Sequence, residues 1–167
     1  MIKQFAPSEI CLKCRSCCRF READSVWSPC LLEEEIQEFI DKDIPHTRVS
    51  IAINHRLCLL PQASGEGFIC PFLNEADNHC KVYACRPFEC QLYPFLLNMR
   101  AGKVLLTIDL NCPYASEKID SPEMRDYIRY LAAYLNEKKQ LKLLKDNPQI
   151  IQAYEEVRAV AELDLGK

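Results

Sequence analysis

Cys11, Cys14, Cys17 and Cys18 fall within eight residues of the chain, and Cys70, Cys80, Cys85 and Cys90 form a second group. Cys112 stands apart downstream, and Cys30 and Cys58 are isolated. A two-residue spacer lets successive thiolates turn inward on one ion or cluster while intervening backbone N–H groups point at the sulfurs. Cys11-x2-Cys14-x2-Cys17 has that spacing and matches the first three ligands of a bacterial ferredoxin run. The usual x3-Cys-Pro does not follow it. Cys70-Pro71 and Cys112-Pro113 occur instead, and either can supply a remote fourth ligand. The spacing is not the Cys-x3-Cys-x2-Cys of radical enzymes that use S-adenosylmethionine.

Cys17 and Cys18 are adjacent. In extended chain, neighbouring side chains point to opposite sides, so two such thiolates do not easily share one tetrahedral ion. Nine clustered Cys also exceed the four that one closed site consumes. Two adjacent centres, or one larger cluster, are therefore expected in preference to a single zinc site. Cys30, in a helix start, and Cys58, in an apolar strand, read as small buried hydrophobes. Of the three His, only His79, beside Cys80, is placed to ligate, and a polar loop residue is the plainer reading.

Arg15, Arg19 and Arg86 lie among the thiols. A divalent ion held by four thiolates carries net negative charge, which guanidinium groups would offset while donating to sulfur. Tyr83, Phe88, Tyr93 and Phe95 interleave with the second Cys group and are expected to wall it from water, or simply to pack the core. Glu33, Glu34 and Glu35 read as a solvated helix face.

Positioning these residues requires short elements. A Cys-rich basic loop is expected over 1–21, then a helix with Ser28 as its cap, Pro29 at its first position and Leu32, Ile36, Phe39 and Ile40 on one face. Ile44-Pro45 should break it. Residues 56–60 and 67–72 read as two strands, and Arg86-Pro87 as the opening of a short helix carrying Cys90. A second hairpin over 94–99 and 103–110 should turn at Arg100-Ala101-Gly102-Lys103. Ser121-Pro122-Glu123 starts a helix with Met124, Tyr127, Ile128, Leu131, Tyr134 and Leu135 as its apolar stripe. Asn147-Pro148 should cap another, with Ile150, Ile151, Tyr154, Val157 and Val160 as its stripe. The expected architecture is one α+β domain over 1–167. Its small Cys-rich, metal-centred part (11–113), built of short hairpins and irregular loops, is completed by a C-terminal helical hairpin (121–164).

Composition narrows the chemistry. The chain has 167 residues, 27% of them charged, and a net charge of -3, which gives no electrostatic case for a nucleic-acid partner. Four glycines form no phosphate-binding loop. No run approaches the length of a membrane span, and residues 1–10 contain no apolar secretory core. Eleven Cys is an odd count, so full pairing within one chain is impossible. A reducing cytoplasmic location and metal-bound thiols are expected.

The composite pattern resembles the CxxCxxCC cysteine-cluster family, the YkgJ-type zinc- or iron-chelating proteins. It consists of Cys11-Leu-Lys-Cys14-Arg-Ser-Cys17-Cys18, Cys70-Pro-Phe-Leu, Cys80-Lys-Val-Tyr83-Ala-Cys85-Arg86-Pro87-Phe-Glu-Cys90-Gln-Leu-Tyr93-Pro94 and Cys112-Pro113. The resemblance implies a metal or iron–sulfur site built from the two Cys groups; Cys85 is not a general feature of the family pattern. One branch of the family includes flagellin lysine N-methylases, so the resemblance also admits a cluster-dependent protein-lysine methyltransferase. This chain is short for that branch and shows no recognisable methyl-donor site. Three functions are in contention. The foremost is a cytosolic protein holding iron–sulfur clusters, iron or zinc for electron transfer or metal handling. The others are a zinc-stabilised module that recruits a protein or redox partner, and the methyltransferase.

Overall fold

Thiols on irregular loops need a scaffold, and the computed structural model shows how little regular structure supplies it. It describes residues 2–14, 16–42, 44 and 55–165, so Arg15, His46 and Pro45 lie outside the described residues. The chain divides into two units, Pro7–Gln91 and Met1–Ala6 with Leu92–Lys167. Among the described residues no helix is long and apolar enough to cross a membrane.

The first unit contains α1 (Ser8–Cys11), β1 (Arg19–Phe20), α2 (Glu33–Asp41), β2 (Leu60–Pro61) and β3 (Phe68–Ile69). β3 is central and antiparallel to both neighbours: Arg19 and Phe20 face Ile69 and Phe68, and Leu60 and Pro61 face the same two residues from the other side. Strands of two residues make few ladder bonds, so side-chain packing holds the unit. Phe20, Leu31, Phe39, Leu57, Ile69 and Phe72 form its core, with the Phe39 and Phe72 rings edge-on at 5.4 Å. Gly67 leads into β3 at φ +79, and a Cβ there would lie 2.6 Å from the carbonyl oxygen of Phe20. Only glycine allows β3 that close to β1.

Two expectations are corrected here. Helix α2 starts at Glu33, not at Pro29, and Leu32 is its N-cap. Residues 29–31 are instead held extended, because Leu31 N–H donates to His55 and Leu57 N–H donates to Pro29. Ser28 is buried, and its hydroxyl donates to the Leu57 carbonyl at 2.6 Å. That same pairing takes residues 56 and 57 out of the expected first hairpin, leaving only Leu60–Pro61 to meet β3. Of the expected α2 stripe, Leu32 and Phe39 are buried while Ile40 is 42% exposed.

The short helix expected after Arg86-Pro87 is α3 (Phe88–Leu92). The second unit holds β4 (Phe95–Arg100), β5 (Lys103–Ile108), α4 (Pro113–Lys118), α5 (Pro122–Leu135), α6 (Lys138–Asp146) and β6 (Arg158–Leu163). The β4–β5 hairpin forms as the turn chemistry dictates. Ala101 and Gly102 both take positive φ, the conformation whose twist suits a two-residue connection. Ser121 caps α5 by accepting from Met124 N–H, with Pro122 at the first position. Met124, Tyr127, Leu131 and Leu135 are buried along one face of α5. Replacing Leu131 with Ala should cost about 3 kcal/mol, through lost transfer energy and a residual cavity. Urea denaturation with an unchanged m-value would register that cost, and a loss below about 1 kcal/mol would contradict this packing.

The helix expected from Asn147 is overturned. Pro148–Ile150 is a single 3-10 turn, and the chain then runs extended into β6. Ile150, Tyr154 and Val157 are buried as expected, but Ile150 from the 3-10 turn and the other two from the non-helical chain after it: Gln152 exchanges backbone bonds with Leu97 and Met99, and Asn98 donates to the Tyr154 carbonyl. β-branched side chains favour that outcome once a sheet edge is available. The second C-terminal helix is α6 instead, giving a mixed α+β fold with two small antiparallel sheets, β1-β3-β2 and β4-β5-β6.

Candidate metal centre

Backbone pairing in the first unit draws distant thiols together. Cys11 ends α1 and Cys14 follows one turn later, its N–H shared between the carbonyls of Ile10 and Cys11. Cys17 and Cys18 lie in the next turn, immediately before β1. Their sulfurs are 3.9 Å apart, so the expectation that they diverge fails because this segment is a turn and not extended chain. The β1–β3 pairing continues one residue beyond β3, where Cys70 N–H donates to the Cys18 carbonyl at 3.0 Å. Asn74–His79 closes a loop through Asn74 N–H to His79, and Lys81 N–H returns to Phe72. Cys80 is thereby set opposite Leu73 and near Cys70. A 3-10 turn at Tyr83–Cys85 carries Cys85, and α3 carries Cys90.

Electrostatics reports which thiols share an environment. Burial pushes the Cys70 thiol up to about 12, with Cys80 and Cys17 adding to the rise. Burial also pushes Cys90 well above the ordinary thiol value, and Cys70, Cys17 and Cys80 push in the same direction. Cys80 is raised by burial and by Cys17 and Cys85, while the Arg86 guanidinium favours its thiolate. Cys17 is exposed on its outer side, yet its thiol is raised by its contact with Cys18, then by burial of the sulfur and by Cys14. Cys17 and Cys80 thus bear on both Cys70 and Cys90, and Cys70 bears on Cys90. Among the described residues, however, no group of three or more Cys, His, Asp or Glu has its ligating atoms already gathered around a point where a metal ion would sit. None of the eleven Cys is joined in a disulfide.

Other sequence-selected residues have definite places. Arg86 stacks on the Tyr83 ring, 4.1 Å from its centroid. Arg19 is turned to a bracing role: one nitrogen donates to Gln62 and another to Asn78, tying β1 to two loops. His79 is an exposed loop residue with Nδ1 3.6 Å from Asp77. Cys30 is buried and Cys58 half-buried. Cys112 is buried in the second unit as the N-cap residue of α4. Tyr93 and Phe95 also belong to that unit, where the Tyr93 hydroxyl donates to Asp109 and Phe95 packs on Phe5 and Tyr127.

The sequence reading missed two carboxylates. Glu35 is not part of a solvated face: it is half-buried, accepting from Leu32 N–H at 2.9 Å and from Phe88 N–H at 2.6 Å. It therefore joins the start of α2 to the start of α3. The signal was present, since a Glu three residues after an N-cap is the acidic half of a capping box. Glu89 accepts from Cys30 N–H at 2.6 Å, and burial pushes it up to about 8. Nothing local in the sequence marks that contact.

Residues 10–119 match the family described as "CxxCxxCC: Putative zinc- or iron-chelating domain". The match covers most of the chain, which therefore belongs to this cysteine-cluster family. The chain is also 31% identical over 100 residues to "Uncharacterized protein MJ0661" of Methanocaldococcus jannaschii, a match covering 60% of this chain and 52% of that protein. The chain thus spans about half the length of this curated relative. No solved structure matches it. The donor chemistry fits the family description, because clustered thiols suit zinc and iron and disfavour hard cations such as magnesium or calcium.

Proposed function

We propose that the first unit holds an iron–sulfur, iron or zinc centre through Cys17, Cys70, Cys80 and Cys90, and serves electron transfer or metal handling in a reducing compartment. The observation that carries this reading is backbone placement: Cys70 N–H bonds the carbonyl of Cys18, the neighbour of Cys17, and the 74–79 loop closure sets Cys80 opposite Leu73, with the raised thiols of Cys70, Cys80 and Cys90 in keeping. Crowded, desolvated thiols ionise at high cost, and a cation removes that cost by binding the thiolates. Arg86, stacked on Tyr83 and favouring the Cys80 thiolate, supplies part of the positive charge that a four-thiolate centre requires. Cys11, Cys14, Cys18 and Cys85 furnish further sulfurs for a second centre or a larger cluster, and Cys112 enters the ligand pool on its Cys-Pro pattern alone. When bound, an iron–sulfur cluster would supply one-electron chemistry, whereas zinc would supply structure only.

A second reading, a zinc-stabilised interaction module, is favoured by the two-residue strands of the first unit, which leave metal a large share in holding the fold. One experiment separates the two: anaerobic purification, visible absorbance, and analysis for iron, zinc and inorganic sulfide. Iron with sulfide in a brown protein is the expected result. A colourless protein carrying zinc alone rejects the redox reading in favour of the module. Absence of all three elements after anaerobic purification rejects both.

A further inference from the structure

In the second unit a shallow groove runs between α5 and β6, lined by Arg125, Ile128 and Arg129 from the helix and by Arg158, Ala159 and Val160 from the strand. β6 is the edge of its sheet, pairing with β5 on one side and with no strand on the other among the described residues. Val160 is the extra residue of a bulge, lying between the Leu106–Ala161 and Thr107–Ala159 pairs. Bulges and flanking charges are also how proteins guard edges against unwanted pairing. Here, however, the side chains bordering the groove along the strand are small at Ala159, and the floor is apolar at Ile128 and Val160.

The rim is basic. Arg125 and Arg129 are exposed on α5 and Arg158 is exposed on β6. Asp120 and Asp126 offset them only in part: Arg125 donates to the Asp120 backbone carbonyl, Arg129 bonds Asp126, and Arg158 stands 3.8 Å from Asp120. Three guanidinium groups thus face two carboxylates, on a chain whose net charge is -3. The groove contains no aromatic ring on which a base would stack.

We propose that this groove takes an extended, acidic peptide segment of a partner protein, which adds to β6 as a fourth strand. Main-chain hydrogen bonds to the edge would give affinity. Alternate side chains would select the sequence, apolar ones resting on Ile128 and Val160 and carboxylates reaching Arg125, Arg129 and Arg158.

The test uses the full chain, 15N-labelled and metal-loaded as purified, with a fluorescein-labelled peptide of alternating acidic and valine residues. Saturable binding is expected, with amide shifts along Arg158–Leu163 and on α5, weakening as salt rises. The lysine–valine counterpart, and the acidic peptide with alternate amides N-methylated, should each bind at least about tenfold more weakly, a difference of about 1.4 kcal/mol. Replacing Arg125, Arg129 and Arg158 together by Glu should abolish binding, while the matching Lys triple variant retains it. No saturable binding of the acidic peptide up to about 1 mM overturns the proposal. So does equal binding of the N-methylated or the lysine peptide, or amide shifts confined to other surfaces.

Discussion

Cys70→Ser should lower the affinity of the chain for Co(II), titrated anaerobically under reducing conditions, by about a hundredfold or more. Even loss of an outer-shell partner typically costs about 10–100-fold in metal affinity, and here a donor sulfur itself is removed. Cys70 is fixed by backbone, since its N–H is bonded to the Cys18 carbonyl where the β1–β3 pairing ends. Burial, with Cys80 and Cys17 nearby, raises it to about 12, so it cannot ionise appreciably near neutrality without a cation. The sulfur-to-cobalt charge-transfer band should weaken along with the affinity, because that band reports thiolate donors directly. Cys58→Ser is the control: it removes a half-buried thiol outside both Cys groups and should leave the titration unchanged. Wild-type affinity in Cys70→Ser would remove Cys70 from the ligand set, and with it the four-sulfur centre proposed for this unit.

Local chemistry was legible in the sequence wherever one short segment decides its own structure. Ser121-Pro122-Glu123 starts α5 because capping and a fixed proline φ act within four residues. The Arg100–Lys103 turn forms because Gly102 takes positive φ at no steric cost and carries Ala101 with it. The two Cys groups were legible for the same reason, as spacing. Pairings between distant segments were not. Ser28 reads as a cap until residues 55–57 claim the chain beside it. The apolar residues 150–160 fit a helical stripe, and only the edges of β4, which bonds Gln152, and of β5, which pairs with β6 from Arg158, draw the segment after Ile150 out of a helix. At the candidate site, spacing marks which residues are thiol donors, but not which backbone pairings position them. The backbone bond between Cys18 and Cys70 depends on the β1–β3 ladder, which joins segments far apart in sequence, and Cys80 is set opposite Leu73 by closure of the 74–79 loop.

Glu35→Gln should flatten the pH dependence of stability and make the chain more stable than wild type above neutrality. Burial outweighs the two N–H bonds from Leu32 and Phe88 and lifts the Glu35 carboxyl from about 4.5 to about 7, with Glu38 and Glu34 contributing in the same direction. A carboxyl whose pKa is raised by folding holds its proton more tightly in the folded chain. Stability is therefore fully present at low pH and declines as pH rises from about 4.5 through about 7. The gap corresponds to about 3 kcal/mol at its largest. Glutamine keeps an acceptor for one of the two N–H groups and carries no charge to desolvate. The stability difference between Glu35→Gln and wild type should thus grow in favour of the variant from pH 5 to pH 8. Measuring that difference at each pH isolates Glu35 from Glu89 and from the thiols, which are common to both proteins. Glu35→Ala should instead lose about 1–3 kcal/mol at pH 5, because the Leu32 and Phe88 N–H groups are left without their acceptor. Urea denaturation at matched metal content across that range is the measurement. A difference that stays constant with pH would mean that Glu35 is already ionised in the folded chain. Its role would then be that of an ordinary charged cap, and not of a neutral link between α2 and the helix that carries Cys90.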